Sequence, residues 1–419
     1  MSYLLALITL IGVVVVCVTA TNNEFSMVLV GGGLLDDNDE VWSTIIELGG
    51  GSGFARFGVI SAASEDPCCD EDSSFVYYRD QLNKYGAAEV YYIPITVDTT
   101  GNNTNPEVIS HIRTLTGFMF GGGDQLKIVK SFYNGAASAE PSPALIAIKE
   151  TLYASGGVVA GTSAGTDCMT AQVMISGGVS YSGVNRGAHV YWEPHASPVF
   201  DELTAYSRGI GMFPYGILDT HFENRGRHGR LARLLADSAG LPTGSLYGFG
   251  VDENTALVVT GPTSGRVGRV IGQRGVVVID ISRASAGPDS NGRWCLADAR
   301  VSHLTSQDQV LLTSYSFTPA AFKTSLAGRE SCDKVDSSSD IFASEEADAV
   351  ETFQFEKVAK SLFDSRDTVA VGASAEKRPP YLVEMSKNDE SVGMDGTDPA
   401  TGQYWFSYYN MRVKIYSSG

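Results

Sequence analysis

The chain has 419 residues, 43% of them hydrophobic and 19% charged. That is ample apolar material for a large packed core, and it excludes a wholly disordered chain. The formal net charge of −18 argues against nucleic acid or an anionic membrane as a partner and favours solubility, cationic ligands or loosely held cations.

Residues Leu4 to Val18 form an uncharged apolar run followed by small residues at Val18-Thr19-Ala20. Residues 1–20 therefore read as a signal peptide, although no Lys or Arg precedes the run, and the protein reads as secreted and extracellular. The run is short of the roughly 20 residues that a spanning helix needs. With Cys17 removed, five of the six cysteines remain, so at least one is unpaired or bonds another chain. Cys295 and Cys332 flank a loop-rich stretch and are a candidate pair, with adjacent Cys68-Cys69 offering another partner. Asn102-Asn103-Thr104 is a glycosylation sequon in a stretch that reads as exposed loop, which makes Asn102 a candidate glycan site.

From Phe25 onward, short β-branched runs at Met27 to Val30, Gly58 to Ser61, Val90 to Ile95, Phe118 to Phe120 and Val158 to Ala160 alternate with longer segments. Helix-compatible stretches lie around Asn38 to Leu48, Ser74 to Tyr85, Asp124 to Tyr133 and Ser142 to Ala154. This rhythm predicts an α/β fold with a mostly parallel sheet and helices on both faces. Chemistry in such sheets sits at the carboxyl ends of the strands. Glycine clusters lie there, at Gly31 to Gly33, Gly121 to Gly123 and Gly161 to Gly165, and none fits a dinucleotide fingerprint. After Leu246 the pattern turns to antiparallel strands, Gly248 to Val251, Ala256 to Thr260, Val267 to Ile271 and Gly275 to Ile281, joined by Gly/Pro/Ser turns. From Asp333 onward there are sixteen acidic and nine basic residues. Asp336-Ser337-Ser338-Ser339-Asp340 reads as a linker, Phe353 to Phe363 as one amphipathic helix and Trp405 to Tyr416 as one or two strands, so this acidic extension is expected to be partly folded.

Gly161-Thr162-Ser163-Ala164-Gly165 follows an apolar strand and precedes a segment able to form a helix. A G-x-S-x-G turn in that setting is a nucleophile elbow, its glycines relieving crowding in a sharp, strained turn that exposes the serine hydroxyl. The Ala164 N–H is then free to stabilise an oxyanion. Acyl transfer also needs a base and a group to orient it. Of His111, His189, His195, His221, His228 and His303, the best candidate is His221, because an apolar strand at Ile217-Leu218-Asp219 runs into it. His228 lies in a charged helical stretch and reads as solvated, while His111 and His303 carry no nearby partner. A core or capping role for His221 is the bland alternative. Asp252 and Glu253 end another apolar strand, and only one of two successive side chains can face the site.

Four blocks then occur in a familiar order: Gly121-Gly122-Gly123-Asp124-Gln125-Leu126, Gly161 to Thr166, Asp219-Thr220-His221-Phe222 with Arg225 to Leu231, and Val251-Asp252-Glu253-Asn254-Thr255-Ala256. Together they resemble the cyanophycinase branch of the peptidase E-like exopeptidases over about residues 25 to 285. The resemblance implies a class I glutamine amidotransferase-like fold, with residues 25–332 as the catalytic domain and 333–419 as the extension. It implies Ser163 as nucleophile, His221 as base, Glu253 as orienting carboxylate, and a second oxyanion donor from the backbone around Gly123 and Asp124. Gln125 would help to hold substrate, and no metal or organic cofactor would be needed. The family hydrolyses cyanophycin to β-aspartyl-arginine dipeptides, so the implied partner is a peptide or polypeptide substrate with aspartyl-arginine as the candidate unit; a homodimer is compatible with it.

Arg225, Arg227 and Arg230 are of a type suited to gripping a substrate carboxylate bidentately, or else to surface charge or buried support. Asp219 would meet one of these arginines or a basic substrate side chain. Thr220 stands where cyanophycinases commonly carry glutamine, and Thr170 to Tyr215 looks longer than usual, so preference for cyanophycin itself is open. The competing class is a secreted acidic matrix or storage protein that keeps the fold without turnover. An α/β-hydrolase esterase is disfavoured, because its order is nucleophile, acid, histidine.

Overall fold

The computed structural model describes residues 24–133, 140–191, 202–206, 208–331, 334–344 and 352–419. The expected signal segment with Cys17, together with His195 and Cys332, lies outside them.

Five strands run parallel on one side of the first sheet. They are β1 (Ser26–Val30), β2 (Arg56–Ile60), β3 (Glu89–Tyr92), β4 (Gly117–Phe120) and β5 (Val158–Thr162), in the order β1-β5-β4-β2-β3. β1, β4 and β5 are apolar at nearly every position because both of their faces are covered. Met27 and Leu29 pack with α3 (Pro106–Ile112), α4 (Gln125–Phe132) and α5 (Pro143–Ser155), while Val28 and Val30 pack with α1 (Asp39–Leu48) and α2 (Ser74–Lys84). Helix α1 shows why such segments are helical. Asn38 caps it by accepting the Val41 N–H at 3.2 Å, Asp39 and Glu40 suit its first turn, and Val41, Trp42, Ile45 and Ile46 form its buried stripe.

Beyond β1 the sheet turns antiparallel through Thr255–Thr260, Val267–Gly272, Gln309–Leu311 and Ser316–Thr318, giving nine strands among the described residues. A second sheet places Ile217–Asp219 at one edge, next to Tyr247–Val251, Gly275–Asp280 and Trp294–Thr305.

The acidic extension is built into that second sheet. Tyr404–Ser417 pairs antiparallel with Trp294–Thr305, setting Val301 opposite Met411 and His303 opposite Tyr408, and it pairs on its other side with Tyr381–Ser386 and Val392–Thr397. Helix Gln354–Phe363 adds Phe355, Val358, Leu362 and Phe363 to a core shared with Ile217, Leu231, Val277 and Val301. The boundary expected at residue 332 thus falls inside one continuous sheet, because the apolar face of the extension is buried against the strands before it.

Cys68 and Cys69 are bonded to each other, and Cys168 and Cys295 have no bonded partner among the described residues, Cys332 lying outside them. Asn102 lies in a 3-10 turn, Thr100–Thr104, with its amide donated to the Pro94 carbonyl at 2.6 Å. No helix of the described residues is long and apolar enough to cross a membrane.

Met411 is fully buried in the shared core. Met411→Ala is expected to cost about 2–5 kcal/mol, visible as a lowered denaturant midpoint monitored by tryptophan fluorescence. A residue in a loosely attached tail would shift that midpoint by about 0.5 kcal/mol or less.

Candidate active site

Ser163 stands at the carboxyl end of β5, on the turn into the short helix α6 (Ala164–Asp167). Its φ of 53° and ψ of −121° mark a strained backbone. The turn is tight enough that a Cβ on Gly161 would lie 2.3 Å from the Gly165 carbonyl oxygen, and one on Gly165 would lie 2.1 Å from that of Phe120. The two glycines of the motif are therefore fixed by backbone contact on either side of the serine.

His221 follows strand Ile217–Asp219 of the second sheet, and its N–H donates to the Gly31 carbonyl at 2.8 Å. Its Nε2 lies 2.8 Å from Ser163 Oγ and its Nδ1 lies 2.6 Å from Glu253 Oε1. Glu253 sits where the chain leaves Tyr247–Val251 in the second sheet for Thr255–Thr260 in the first. Asn224 Nδ2 donates to the same Glu253 oxygen at 3.0 Å. Asp252 turns away, accepting the Glu223 N–H at 2.9 Å and the Gly275 N–H at 3.2 Å, and burial pushes its carboxyl well above the ordinary range.

Partial burial lowers the His221 pKa, and the hydrogen bond to Glu253 resists that shift. Burial alone would raise Glu253, but the hydrogen bonds from His221 and Asn224 and the charge on Arg225 bring its pKa below the usual value. A neutral imidazole therefore meets an ionised carboxylate at neutral pH, the arrangement that lets the ring accept a proton from the serine.

The Gly121–Gly123 loop lies alongside Ser163, so that a Cβ on Gly122 would be 3.9 Å from Ser163 Oγ. Ala164 opens α6 directly after Ser163, and Gly123 lines the cavity beside it. The amide of Asp124 is committed elsewhere, donating to the Ala63 carbonyl at 2.9 Å, while the Asp124 side chain caps α4.

A cavity of about 650 Å³ opens beside Ser163 and His221. Asp219 is fully buried beneath it, holding Arg230 through both carboxylate oxygens at 2.9 and 2.5 Å and Arg227 at 3.2 Å. Arg230 also donates to the carbonyls of Gly177 and Gly178 at 2.9 and 3.1 Å. Asp219 and Arg230 are thereby committed to each other, as buried support for the site. Thr220 is buried as well, and its hydroxyl donates to Asp167 at 3.1 Å. Gln125 donates its amide to the Ile175 carbonyl at 2.8 Å and lines the cavity, as do Arg227 and the exposed Arg225. The extended stretch from Thr170 to Tyr215 supplies the facing wall, including Val179, Ser182 and Arg186.

His228 is buried, not solvated: its ring stacks on Phe355 of the extension at 3.6 Å. His111 has a partner, Glu89 Oε1 at 2.7 Å, and stacks on Tyr91. His303 is buried within strand Trp294–Thr305 of the second sheet. Three contributors were not singled out as site residues from sequence: Asn224, Asp167 and the Gly31–Gly33 run. A Cβ on Gly32 would come 2.3 Å from His221 Cε1, and one on Gly33 would come 3.3 Å from Glu253 Oε2. The signal for that run was present, a glycine triplet at the end of β1; the other two are visible only once the chain is folded.

No family model matches the chain. It is 27% identical over 241 residues to the cyanophycinase of Synechococcus elongatus, covering 58% of this chain and 63% of that protein. It is 26% identical over 257 residues to that of Geminocystis herdmanii (61% and 80%), and 30% identical over 176 residues to that of Trichormus variabilis (42% and 48%). The match thus spans less than two thirds of the first of these relatives. Among solved structures, a peptidase from an acI-B1 actinobacterium aligns at a TM-score of 0.43 and 23% identity, over 61% of this chain and 90% of that one.

The Gly32 approach yields a direct expectation. Its φ of +96° and its contact with the His221 ring mean that Gly32→Ala must displace the imidazole. Acylation of Ser163 by a fluorophosphonate is expected to slow by about 100-fold or more, measured by intact-protein mass spectrometry against time.

Proposed function

We propose that the protein is a secreted serine-type peptidase, resembling cyanophycinases, that hydrolyses aspartyl peptide bonds through an acyl-enzyme on Ser163. The observation that carries this reading is the continuous line of hydrogen bonds from Ser163 through His221 to Glu253, 2.8 and 2.6 Å long, beside a cavity rich in arginine.

In this mechanism His221 Nε2 takes the hydroxyl proton as Ser163 Oγ attacks the carbonyl carbon of the scissile amide. Negative charge moves to the carbonyl oxygen, where the N–H groups of Ala164 and Gly123 receive it. The C–N bond then breaks as His221 returns the proton to the leaving amine, and Ser163 is left as an ester. Water, deprotonated by His221, attacks that ester and frees the acid. Glu253 stays ionised throughout and stabilises the imidazolium, with Asn224 holding the carboxylate in place. Arg225 and Arg227 favour a substrate that brings a carboxylate to the cavity, either an aspartyl side chain or a free C-terminus.

The alternative is an acidic matrix or storage protein without turnover, which draws on the net charge of −18. Incubation with cyanophycin and a panel of α- and β-aspartyl dipeptides, following released amines, decides between them. The parent is expected to cleave at least one linkage, and Ser163→Ala to lower the rate by about 10⁴-fold or more. Failure of the parent to cleave any of them or to be acylated would favour the non-catalytic reading.

The pH profile follows from the His221 environment. The base works only as neutral imidazole, and burial holds its pKa below that of an ordinary histidine. The acid limb of kcat/KM is therefore expected to have its midpoint at a lower pH than an unperturbed imidazole would give, as read from initial rates in buffers of constant ionic strength.

A further inference from the structure

Two of the four arginines on the wall of the active-site cavity are committed to the protein. Arg230 holds both oxygens of Asp219, and Arg227 Nη1 is shared between Asp219 at 3.2 Å and the Thr220 carbonyl at 2.7 Å. Arg186 and Arg225 differ. Both are exposed, both line the cavity, and neither has an ion pair among the described residues. The acidic residues of the same wall are engaged elsewhere, Asp124 accepting the Leu126 N–H at 2.8 Å and Asp167 the Thr220 hydroxyl at 3.1 Å.

The two uncommitted guanidiniums come from different elements. Arg225 lies on the turn after the base, where its N–H donates to the His221 carbonyl at 3.1 Å and its charge helps to hold the Glu253 pKa down. Arg186 ends helix α7 (Ser180–Arg186), in the facing wall. The chain entering α7 is tied to the buried pair, since Arg230 donates to the Gly177 and Gly178 carbonyls. Seven residues separate Val179 from Arg186, which carries Arg186 roughly 10 Å along the helix from that anchor. The helix is also fixed from behind. The Ser180 hydroxyl accepts the Arg230 N–H at 3.1 Å and donates to the Gly226 carbonyl at 2.5 Å, and Arg233 donates to the Val184 carbonyl at 2.7 Å. Arg186 is thus an exposed cation on a rigid mount that shares its supports with the segment after His221.

We propose that Arg186 is a specificity residue that receives a carboxylate side chain on the residue following the scissile aspartyl bond, so that the preferred substrates are acidic peptides of the aspartyl-glutamate type and not aspartyl-arginine. The inference rests on Ser163 being the nucleophile and deepens that reading. Arg225, beside the triad, serves the carboxylate closest to the reacting carbon, that of the aspartyl residue; Arg186, farther along the facing wall, meets the next side chain. A guanidinium at that place offers paired N–H donors to a carboxylate and repels a substrate arginine. The cavity, about 650 Å³, is of a size that takes small ligands such as a dipeptide.

The test titrates the full-length Ser163→Ala protein by calorimetry with aspartyl-glutamate, aspartyl-glutamine and aspartyl-arginine, each α- and β-linked. The glutamate peptide is expected to bind about three- to tenfold more tightly than its uncharged glutamine isostere, with the arginine peptide weakest. Arg186→Gln in the same background is expected to bring the glutamate peptide down to the level of the glutamine one. Arg186→Glu is expected to reverse the order in favour of the arginine peptide, a gain that misfolding cannot produce.

Equal binding of the glutamate and glutamine peptides, tightest binding of the arginine peptide, a glutamate preference that survives Arg186→Gln, or binding of none of the three would each overturn the proposal. Acylation of the parent protein by a fluorophosphonate reports separately on Ser163. Acylation without a glutamate preference removes the role of Arg186 and leaves the nucleophile standing; a glutamate preference without acylation does the reverse.

Discussion

The line of hydrogen bonds from Ser163 through His221 to Glu253 depends on one close approach, the meeting of the two sheets at Gly31–Gly33. Ser163 belongs to the first sheet and His221 to the second, and Glu253 sits on the link between them. The Gly31 carbonyl takes the His221 N–H, the Gly32 carbonyl takes the Asn254 N–H at 2.8 Å, and the Gly31 N–H donates to Thr255 at 3.1 Å. These backbone bonds pin the end of β1 against both segments that carry the base and its carboxylate. Side chains at Gly31 or Gly32 would hold the sheets apart, since a Cβ on Gly31 would fall 2.1 Å from the Asp252 carbonyl oxygen. The residues with the reactive atoms are thus aligned by residues that have no side chain.

A second layer of control is electrostatic. In a protein of net charge −18, the cavity beside Ser163 gathers arginines, and the buried Asp219 holds two of them by direct ion pairs. Removing one partner of such a pair leaves an uncompensated buried charge, a cost of about 3–5 kcal/mol. Asp219 precedes His221 by two residues, and Arg230 ties it to the Gly177 and Gly178 carbonyls. The pair therefore joins the base-bearing segment to the wall supplied by the stretch after Thr170. Part of the cation cluster that reads from sequence as a substrate grip is scaffold, since Arg227 and Arg230 are both paired with Asp219, and Arg225 lines the cavity without that pairing.

How much of this was legible in the sequence follows from the range over which each feature is determined. The five parallel strands and four of the helices between them are encoded locally, in apolar runs and caps such as Asn38, and the chain shows them directly; the short helix Pro106–Ile112 has too few turns to show such a stripe. The nucleophile elbow is also local, because its strain is relieved within five residues. The charged neighbours of His228 predict a solvated ring; its burial comes from Phe355, more than a hundred residues away. In the extension, the helix Gln354–Phe363 and the strand Tyr404–Ser417 are legible as an amphipathic run and a β-rich run. What the sequence does not show is their cover, which comes from strands formed much earlier in the chain. Asp167 was overlooked for a related reason: four residues past a nucleophile it looks like any helix carboxyl, and only the fold shows that both neighbouring arginines are spent on Asp219.

Strand Tyr404–Ser417 has a further consequence for how the protein comes into being. It follows in sequence every other strand of the sheet that carries His221, and it lies inside that sheet with partners on both sides. During vectorial synthesis the nucleophile strand and its helices emerge hundreds of residues earlier and can pack as they appear. The sheet behind the base cannot be completed until Tyr404–Ser417 arrives. A nascent chain therefore presents the strand of Ser163 while the sheet behind His221 still lacks its last strand.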